Sequence, residues 1–210
     1  MANVDAHRLA EIIRATAGVD AAVADAFAAT PRLAFVDPEH ADSADEDTWL
    51  QTGPGTTISQ PSYVARVISA ARIVATDRVL EIGAGSGWTA AILAKLAAEV
   101  VAVDRVPELV AAARARLGHV PNLQIIQGDG DENVDGTFDA ILVMAGAPGI
   151  PLSYKARLRH GGRLVIPVGR LRNDRAVKCC VVRVTCSASM YVDEDLFAGD
   201  WNLLRGKDGF

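Results

Sequence analysis

The chain has 210 residues, half of them hydrophobic, which is enough to build the core of one α/β domain. Its formal net charge of −5 and isoelectric point of about 5.3 argue against nucleic acid as a partner, because neutralising phosphates needs a basic surface. Charged residues interrupt the first 17 positions, which leaves no apolar run of the kind found in signal peptides. We therefore expect a cytoplasmic protein with no membrane partner. We also expect a monomer, although nothing in the sequence fixes the oligomeric state.

The cysteines and histidines do not predict a metal site. Cys179, Cys180 and Cys186 lie in one strand-like stretch without CxxC spacing or nearby histidines, so we expect buried free thiols. The four histidines are scattered along the chain, and none belongs to a motif. We therefore expect no metal in the site.

Two amphipathic helices are predicted at the start of the chain. Leu9, Ile12 and Ile13 fall on one helical face within residues 5–17. The next helix carries apolar residues at four-residue spacing, and Pro31 stops it because proline cannot continue a helix.

A loop is predicted at residues 38–57, because this segment is acidic between Asp42 and Asp47 and then rich in Gly, Pro and Thr. We expect the acidic stretch only to solvate this loop. A third helix begins at Pro61, and backbone N–H groups left free at its start are expected to favour an anion.

Strands and helices then alternate along the chain, which is typical of a parallel sheet with both faces covered. Strands are predicted at Arg78–Ile82, Val100–Asp104, Leu123–Gln127, Phe138–Val143 and Arg163–Pro167, and helices at Thr89–Leu96, Pro107–Leu117 and Pro151–Leu158. An antiparallel pair, Val177–Thr185 and Met190–Phe197, completes the sheet. The prediction is a single α/β domain with a doubly wound, mostly parallel sheet, antiparallel C-terminal strands and an N-terminal helical extension.

The first predicted strand runs into glycines at alternate positions, Gly83, Gly85 and Gly87, and then into a helix. Glycine at such a turn lets the backbone approach a ligand closely. Dinucleotide-binding enzymes use GxGxxG at this place, but here the third glycine comes one residue early and Glu81 precedes the first. The spacing argues against an NAD-dependent oxidoreductase and favours a smaller ligand.

The next two strands end in carboxylates. Asp104 lies where a doubly wound fold places the group that binds ribose hydroxyls, and Gly128-Asp129-Gly130 follows the third strand. Three strand ends therefore converge on one nucleoside.

These residues resemble motif I of class I methyltransferases, which have a Rossmann-like fold, and the whole chain resembles the protein-L-isoaspartate O-methyltransferase family. Beyond the glycine loop, the resemblance rests on four stretches in family order: Thr30-Pro31-Arg32-Leu33-Ala34-Phe35-Val36, Thr57-Ile58-Ser59-Gln60-Pro61, Gly128-Asp129-Gly130, and Gly161-Gly162-Arg163-Leu164-Val165-Ile166-Pro167-Val168-Gly169. The second stretch is the specific one, because generic methyltransferases lack it.

The resemblance implies a cofactor, S-adenosyl-L-methionine, which leaves as S-adenosyl-L-homocysteine. Expected cofactor residues are Ile58, Glu81, Gly83, Gly85, Ser86, Asp104, Arg105, Gly128, Asp129 and Gly130. Ser59 is implied as the catalytic residue beside the acceptor, with Thr56, Thr57 and Gln60 also on the substrate side. The implied acceptor is the α-carboxylate of an L-isoaspartyl residue in a peptide or protein, whose ester closes to a succinimide in the repair of damaged sites.

The predicted domain then has three parts: a helical substrate-side extension (1–75), a cofactor-binding core (76–170) and C-terminal strands with a substrate-side tail (171–210). Two departures from the family lie on the substrate side. Thr56 replaces a glutamine, and the tail from Phe197 to Leu204 is bulky and lacks proline. Two alternatives therefore stay open: a relative dedicated to aspartate esterification in one precursor peptide, and a non-catalytic cofactor-binding protein.

Overall fold

The computed structural model describes the backbone of residues 5–52, 56–171, 176–187 and 190–202. Its helices are α1 Asp5–Ala15, α2 Ala21–Ala28, α3 Pro61–Ala70, α4 Trp88–Leu93, α5 Pro107–Leu117 and α6 Leu152–Ala156. Its strands are β1 Leu50–Gln51, β2 Thr57–Ile58, β3 Arg78–Ile82, β4 Glu99–Asp104, β5 Leu123–Gln127, β6 Phe138–Val143, β7 Leu158–Leu171, β8 Ala176–Ser187 and β9 Met190–Asn202. Gly53, Pro54, Gly55, Leu203 and Leu204, which the sequence places in the acceptor loop and the tail, lie outside the described residues.

Seven strands form one sheet in the order β5-β4-β3-β6-β7-β8-β9. The strands from β5 to β7 are parallel to one another, whereas β8 runs antiparallel to both β7 and β9. The chain moves outward from β3 to β5 and then returns to place β6 on the other side of β3. This reversal creates a switch point at the carboxyl ends of β3 and β6, which is where open α/β sheets bind ligands.

Both faces of the sheet are buried. On one face Val79 and Leu142 join a core that includes residues of α1 to α5, and on the other Leu80 and Ile141 pack with Tyr154 of α6. Strands covered on both faces read as continuous apolar runs, which explains why the sequence located them. The predicted doubly wound sheet with antiparallel C-terminal strands is confirmed.

The strand β7 extends well beyond the predicted Arg163–Pro167. Its early part contains a register shift against β6, and Gly161 within it has a positive φ of 78°. A bulge of this kind reads in sequence as a turn, although the strand continues through it. The antiparallel neighbour β8 also lies very close to β7 at Gly169. A Cβ atom there would collide with the Lys178 carbonyl oxygen.

The helix α4 ends at Leu93, three residues before the predicted end at Leu96. The backbone N–H groups of Lys95 and Leu96 bond to carbonyls three residues back, which tightens the last turn. The Asn122 side chain donates to the carbonyls of Ala94 and Ala97 at 2.9 and 3.1 Å, so a residue 25 positions or more away ends this helix.

The predicted loop at residues 38–57 is only partly a loop. A 3₁₀ helix spans Pro38–Ser43, and β1 pairs antiparallel with β2 through Leu50↔Ile58 and Gln51↔Thr57. The loop prediction was wrong there, because long-range contacts that leave no periodic pattern hold this segment together.

The three cysteines are free thiols in β8, with Cys179 and Cys186 buried and Cys180 half-buried. Within the described ranges no helix is long and apolar enough to cross a membrane.

Candidate active site

A cleft of about 360 Å³ opens at the switch point of the sheet. Its lining comes from the glycine loop after β3 and the start of α4, from β2 with the residue after it, which we call the acceptor wall, and from Met144 after β6. The lining residues are Thr57, Ile58, Ser59, Gly83, Ala84, Gly85, Ser86, Trp88, Thr89 and Met144.

Backbone hydrogen bonds fix the glycine loop against β4. The N–H groups of Gly83 and Ala84 both donate to the Val103 carbonyl, at 2.8 and 3.0 Å. Asp104 continues this support, because its Oδ2 accepts from the Gly85 N–H at 2.8 Å and its Oδ1 from the Val106 N–H at 3.0 Å. Each carboxylate oxygen keeps further acceptor capacity, so Asp104 can hold the loop and still receive a ligand hydroxyl.

Two glycines of this loop are required for different reasons. Gly85 has a φ of 52°, and a Cβ there would meet nothing within 4 Å, so its backbone faces open space. Gly87 has a φ of 85°, and a Cβ there would lie 2.8 Å from Leu117 of α5. The first glycine exposes the backbone to the cleft, and the second lets the loop pack on α5. This packing accounts for the early third glycine.

Glu81 is fully buried in β3, and neither carboxylate oxygen has a hydrogen-bond partner among the described residues. Burial, and secondarily the charge of Asp104, raises the pKa of the Glu81 carboxyl well above its usual value. Glu81 does not itself line the cleft, but Gly83, two residues later, does. An unpaired buried carboxyl costs stability unless a cationic donor approaches it.

Replacing Glu81 with glutamine is expected to raise the thermal midpoint of the ligand-free protein at pH 8. The raised folded-state pKa means that stability is fully present below the unfolded-state pKa and falls as pH rises through the folded-state pKa. A neutral amide removes this dependence, so melting curves of the two proteins should converge toward pH 5. Midpoints that differ by the same amount from pH 5 to pH 9 would contradict this account.

The other predicted cofactor residues lie around the same sheet edge. Ser86 is half-buried, and its carbonyl accepts from Arg116 at 2.8 Å, whereas Arg105 is exposed and does not line the cleft. The Gly128 N–H donates to the Asp104 carbonyl at 3.1 Å, which brings the end of β5 beside β4. Asp129 is half-buried and Gly130 is buried with a φ of 63°. These three residues adjoin the Asp104 side of the loop.

The acceptor side is the hairpin opposite the glycine loop. Ile58 is 5% exposed and packs in the core, while its neighbours Thr57 and Ser59 are half-buried and also line the cleft. The Ser59 hydroxyl makes no hydrogen bond to the part of the chain that the structure describes. It therefore retains its donor for a ligand in the cleft.

Arg32 organises this wall from behind. Its guanidinium is fully buried and donates to five backbone carbonyls, with the Ser59 carbonyl at 3.1 Å and the Thr48 carbonyl at 2.8 Å from one nitrogen. The others are the carbonyls of Ala44, Glu46 and Ile58. The guanidinium carbon also lies 5.3 Å from the centroid of the Trp88 ring. Burial lowers the pKa of Arg32 to about 10, while Asp47 and Asp45 raise it, so the group is a cation at neutral pH.

The start of α3 is not an anion site. The Ser62 N–H donates to Asp47 Oδ1 at 2.8 Å, and the N–H groups of Tyr63 and Val64 bond to the Gln60 carbonyl. Because Pro61 has no N–H, the expectation of free donors there was wrong. The expectation that the acidic stretch only solvates a loop was also wrong for Asp47, which is half-buried and caps this helix.

Thr56 and Gln60 were expected to contact the substrate, but both are turned to structural partners. The Thr56 hydroxyl donates to the Thr52 carbonyl, and the Thr52 N–H donates to the Thr56 carbonyl at 3.0 Å. The Gln60 amide donates to Asp47 at 3.0 Å and to Ser62 at 3.1 Å. Neither side chain lines the cleft.

Sequence reasoning did not assign Ala84, Trp88, Thr89 and Met144, which line the cleft, or Arg32, which supports it. Trp88 is 1% exposed and belongs to the core, yet it is also a lining residue. Met144 follows β6, so its place beside β3 in the sheet order was the available signal. Arg32 lies among apolar residues in one of the stretches that carry the family resemblance, but the sequence did not assign it to the site.

The C-terminal strand contacts the helix that follows Ser59. Phe197 of β9 stacks on Tyr63 of α3 with ring centroids 6.4 Å apart, and the Arg66 guanidinium lies 3.7 Å from the Phe197 ring centroid. This contact brings the tail strand to the acceptor side of the sheet.

The fold is that of the Rossmann-like methyltransferases. The structure superposes with a TM-score of 0.81 on a Plasmodium falciparum chain, a candidate protein-L-isoaspartate O-methyltransferase crystallised with S-adenosyl-L-homocysteine. That match has 21% identity and covers 95% of this chain and 98% of the other. A second protein-L-isoaspartate O-methyltransferase gives a TM-score of 0.80 at 24% identity, covering 93% of this chain and 64% of the other.

The chain belongs to the protein-L-isoaspartate(D-aspartate) O-methyltransferase family, whose model matches residues 5–193. It is 45% identical over 166 residues to protein-L-isoaspartate O-methyltransferase 1 of Rhodopseudomonas palustris (strain HaA2), covering 77% of this chain and 67% of the relative. The protein of the same name from Anaeromyxobacter sp. (strain Fw109-5) is also 45% identical, and the alignment covers 76% of this chain and 79% of the relative. Protein-L-isoaspartate O-methyltransferase of Burkholderia cenocepacia (strain HI2424) is 42% identical, and the chain spans 59% of its length.

Proposed function

We propose that this chain is a carboxyl methyltransferase that transfers the methyl group of S-adenosyl-L-methionine to L-isoaspartyl residues of peptides or proteins. The observation that carries the proposal is the position of Ser59, whose hydroxyl lines the cleft opposite the glycine loop. Family membership supports the same activity, since the model match extends over both walls of the cleft.

The residues of the cleft fit S-adenosyl-L-methionine. The open space at Gly85 admits a ligand against the backbone, and Asp104 can accept from ribose hydroxyls while holding the loop. The carboxyl of Glu81, unpartnered among the described residues, lies two positions before Gly83 of the cleft wall, so positive charge on a ligand at Gly83 would lower the cost of burying that group. Gly128, Asp129 and Gly130 do not line the cleft but follow β5 beside Asp104, and they are proposed to contact the nucleoside.

The bound cofactor supplies a methyl group on a sulfonium, which carries its own leaving group. A carboxylate acceptor is already ionised at neutral pH, so the protein needs no strong general base. Ser59 donates a hydrogen bond to one acceptor oxygen and thereby orients the other. The buried cation of Arg32 lies behind the same hairpin and favours an anion in the cleft, with Asp47 offsetting part of its charge.

Repair of isoaspartyl sites is favoured over the two alternatives. The relatives from R. palustris and Anaeromyxobacter are 45% identical to this chain and carry the name of the repair enzyme. Both alignments cover about three quarters of this chain. The methylated α-carboxylate becomes an activated ester, and attack by the neighbouring backbone nitrogen closes the succinimide with loss of methanol. Hydrolysis of that ring returns part of the material to normal aspartate.

We propose the cytoplasm as the place of this activity and a peptide or protein as the partner. The three free thiols of β8 support a reducing compartment, and the net charge of −5 supports a partner other than nucleic acid. We also propose that the protein acts as a monomer with a mass near 22.1 kDa.

The test uses purified protein, isotopically labelled S-adenosyl-L-methionine and a matched pair of peptides that differ only in isoaspartyl or aspartyl linkage. We expect base-labile methyl ester on the isoaspartyl peptide alone. Equal labelling of both peptides would make the enzyme a general carboxyl methyltransferase. Labelling of neither, together with binding of S-adenosyl-L-homocysteine in calorimetry, would contradict repair and favour a dedicated substrate.

A further inference from the structure

Trp49 is an exposed aromatic residue, and no contact among the described residues gives its side chain a structural role. Its exposure is 62%, which is high for the largest apolar side chain, while the residue after it, Leu50, is 8% exposed. Large aromatic groups left in water at the rim of a cleft are typical anchors for a binding partner. The position of Trp49 relative to the proposed methyl acceptor decides which partner it can meet.

The register of the hairpin places Trp49 beside Ser59. The paired residues of β1 and β2 are Leu50↔Ile58 and Gln51↔Thr57, so continuing the same register by one residue sets Trp49 opposite Ser59. One nitrogen of Arg32 donates to the carbonyls of Thr48 and Ser59 at 2.8 and 3.1 Å, which holds the two segments of the hairpin side by side at this point. Residues opposite each other in an antiparallel pair have Cβ atoms about 5 Å apart.

The same geometry puts both side chains on one face of the hairpin. Leu50 and Ile58 are 8% and 5% exposed and turn toward the core. Because successive side chains of a strand point to opposite faces, Trp49 and Ser59 turn away from the core. A peptide whose acceptor carboxylate reaches Ser59 must therefore pass its neighbouring residue across the indole ring.

The charge around this face selects the neighbouring residue. Glu46, three positions before Trp49, is exposed, and the nearby cation, Arg32, is fully buried, whereas Asp47 is held by the Ser62 N–H and the Gln60 amide. An exposed acid and the π surface of an indole ring both attract cations. Arginine and lysine suit both features, whereas an acidic side chain would meet repulsion.

We propose that Trp49 is a specificity-determining residue, which receives the side chain next to the isoaspartyl acceptor and selects arginine or lysine there. The proposal rests on the isoaspartyl methyltransferase function set out above. The indole face binds the neighbouring substrate residue, whereas the groups that line the cleft carry out the methyl transfer.

The test measures KM and kcat for isoaspartyl peptides that carry Arg, Leu or Glu on both sides of the acceptor. The wild-type protein is expected to show a KM for the Arg peptide roughly fivefold below that for the Leu peptide, with the Glu peptide highest. Trp49→Ala should bring the Arg-to-Leu ratio of KM close to one, and Trp49→Phe should keep part of the preference. The matched control is Leu152→Ala, which truncates another apolar side chain, 80% exposed, and should keep the full preference.

The outcomes separate the two proposals. A wild-type protein with equal KM values, or with its lowest KM for the Leu peptide, overturns the selection of a cation. A preference that survives in Trp49→Ala overturns the assignment to Trp49. Failure of the wild-type protein to methylate any of the peptides contradicts the isoaspartyl function itself, and this inference with it. Because Trp49 is exposed, unchanged thermal midpoints should show that its variants are folded.

Discussion

Replacing Ser59 with alanine is expected to lower kcat/KM for an isoaspartyl peptide by about 10- to 100-fold, the equivalent of one hydrogen bond to a charged group. The hydroxyl lines the cleft and has no partner among the described residues, so its removal leaves an acceptor oxygen without its donor. The affinity for S-adenosyl-L-homocysteine should change little, because the glycine loop and Asp104 are untouched. Peptide methylation kinetics and calorimetry measure the two quantities separately.

Ser153→Ala is the matched control for this experiment. The Ser153 hydroxyl is buried without a partner among the described residues and does not line the cleft, so its loss should leave kcat/KM unchanged. Full peptide methylation by Ser59→Ala would show that the hydroxyl does not orient the acceptor. An equal loss in the affinity for S-adenosyl-L-homocysteine would instead place Ser59 on the cofactor side.

The second large effect is expected at Arg32, where methionine should destabilise the protein by at least about 3 kcal/mol. The substitution keeps a long side chain but leaves five backbone carbonyls without their shared donor, among them those of Thr48 and Ser59. For a chain of this length, the loss corresponds to a thermal midpoint lower by roughly 6 to 12 °C. The loosened hairpin should also raise the KM for the peptide.

Two further variants make the Arg32 experiment specific. Arg14→Met removes an exposed arginine whose 2.8 Å ion pair with Asp25 has side chains 52% and 69% exposed, so its effect should stay below about 1 kcal/mol. Arg32→Lys keeps the charge but offers three donors to five carbonyls, and should recover only part of the stability. A midpoint for Arg32→Met no lower than for Arg14→Met would contradict the bracing of the hairpin.

The parallel core of the fold could be predicted from the sequence because its pattern is local. β3, β5, β6 and α5 begin and end at the predicted residues, since apolar runs bounded by glycine, proline or acids mark buried strands and their helices. β7 was predicted too short because its bulge at Gly161 resembles a turn. The end of α4 depended on Asn122, which no helical period could indicate.

The candidate site divides in the same way. The residues of the glycine loop follow one strand in sequence, so their meeting with Asp104 follows from sheet topology alone. The acceptor wall is built by contacts between residues 12 to 27 positions apart, through Arg32 and Asp47, and these have no period. Sequence therefore indicated Ser59 by family resemblance but could not show what holds it or that Trp49 lies beside it.

The edge strand β9 has a consequence for how the protein behaves at high concentration. From Met190 to Asp195 every residue is exposed, and β9 is the last strand of the sheet within the described residues, although the Tyr191 hydroxyl donates to the Lys155 carbonyl at 3.1 Å. Met190, Tyr191 and Val192 would make such an edge adhesive, whereas the acids that follow repel a second copy. A neutralising substitution of these acids lowers the barrier to edge-to-edge aggregation, while the cleft on the far side of β6 stays unchanged.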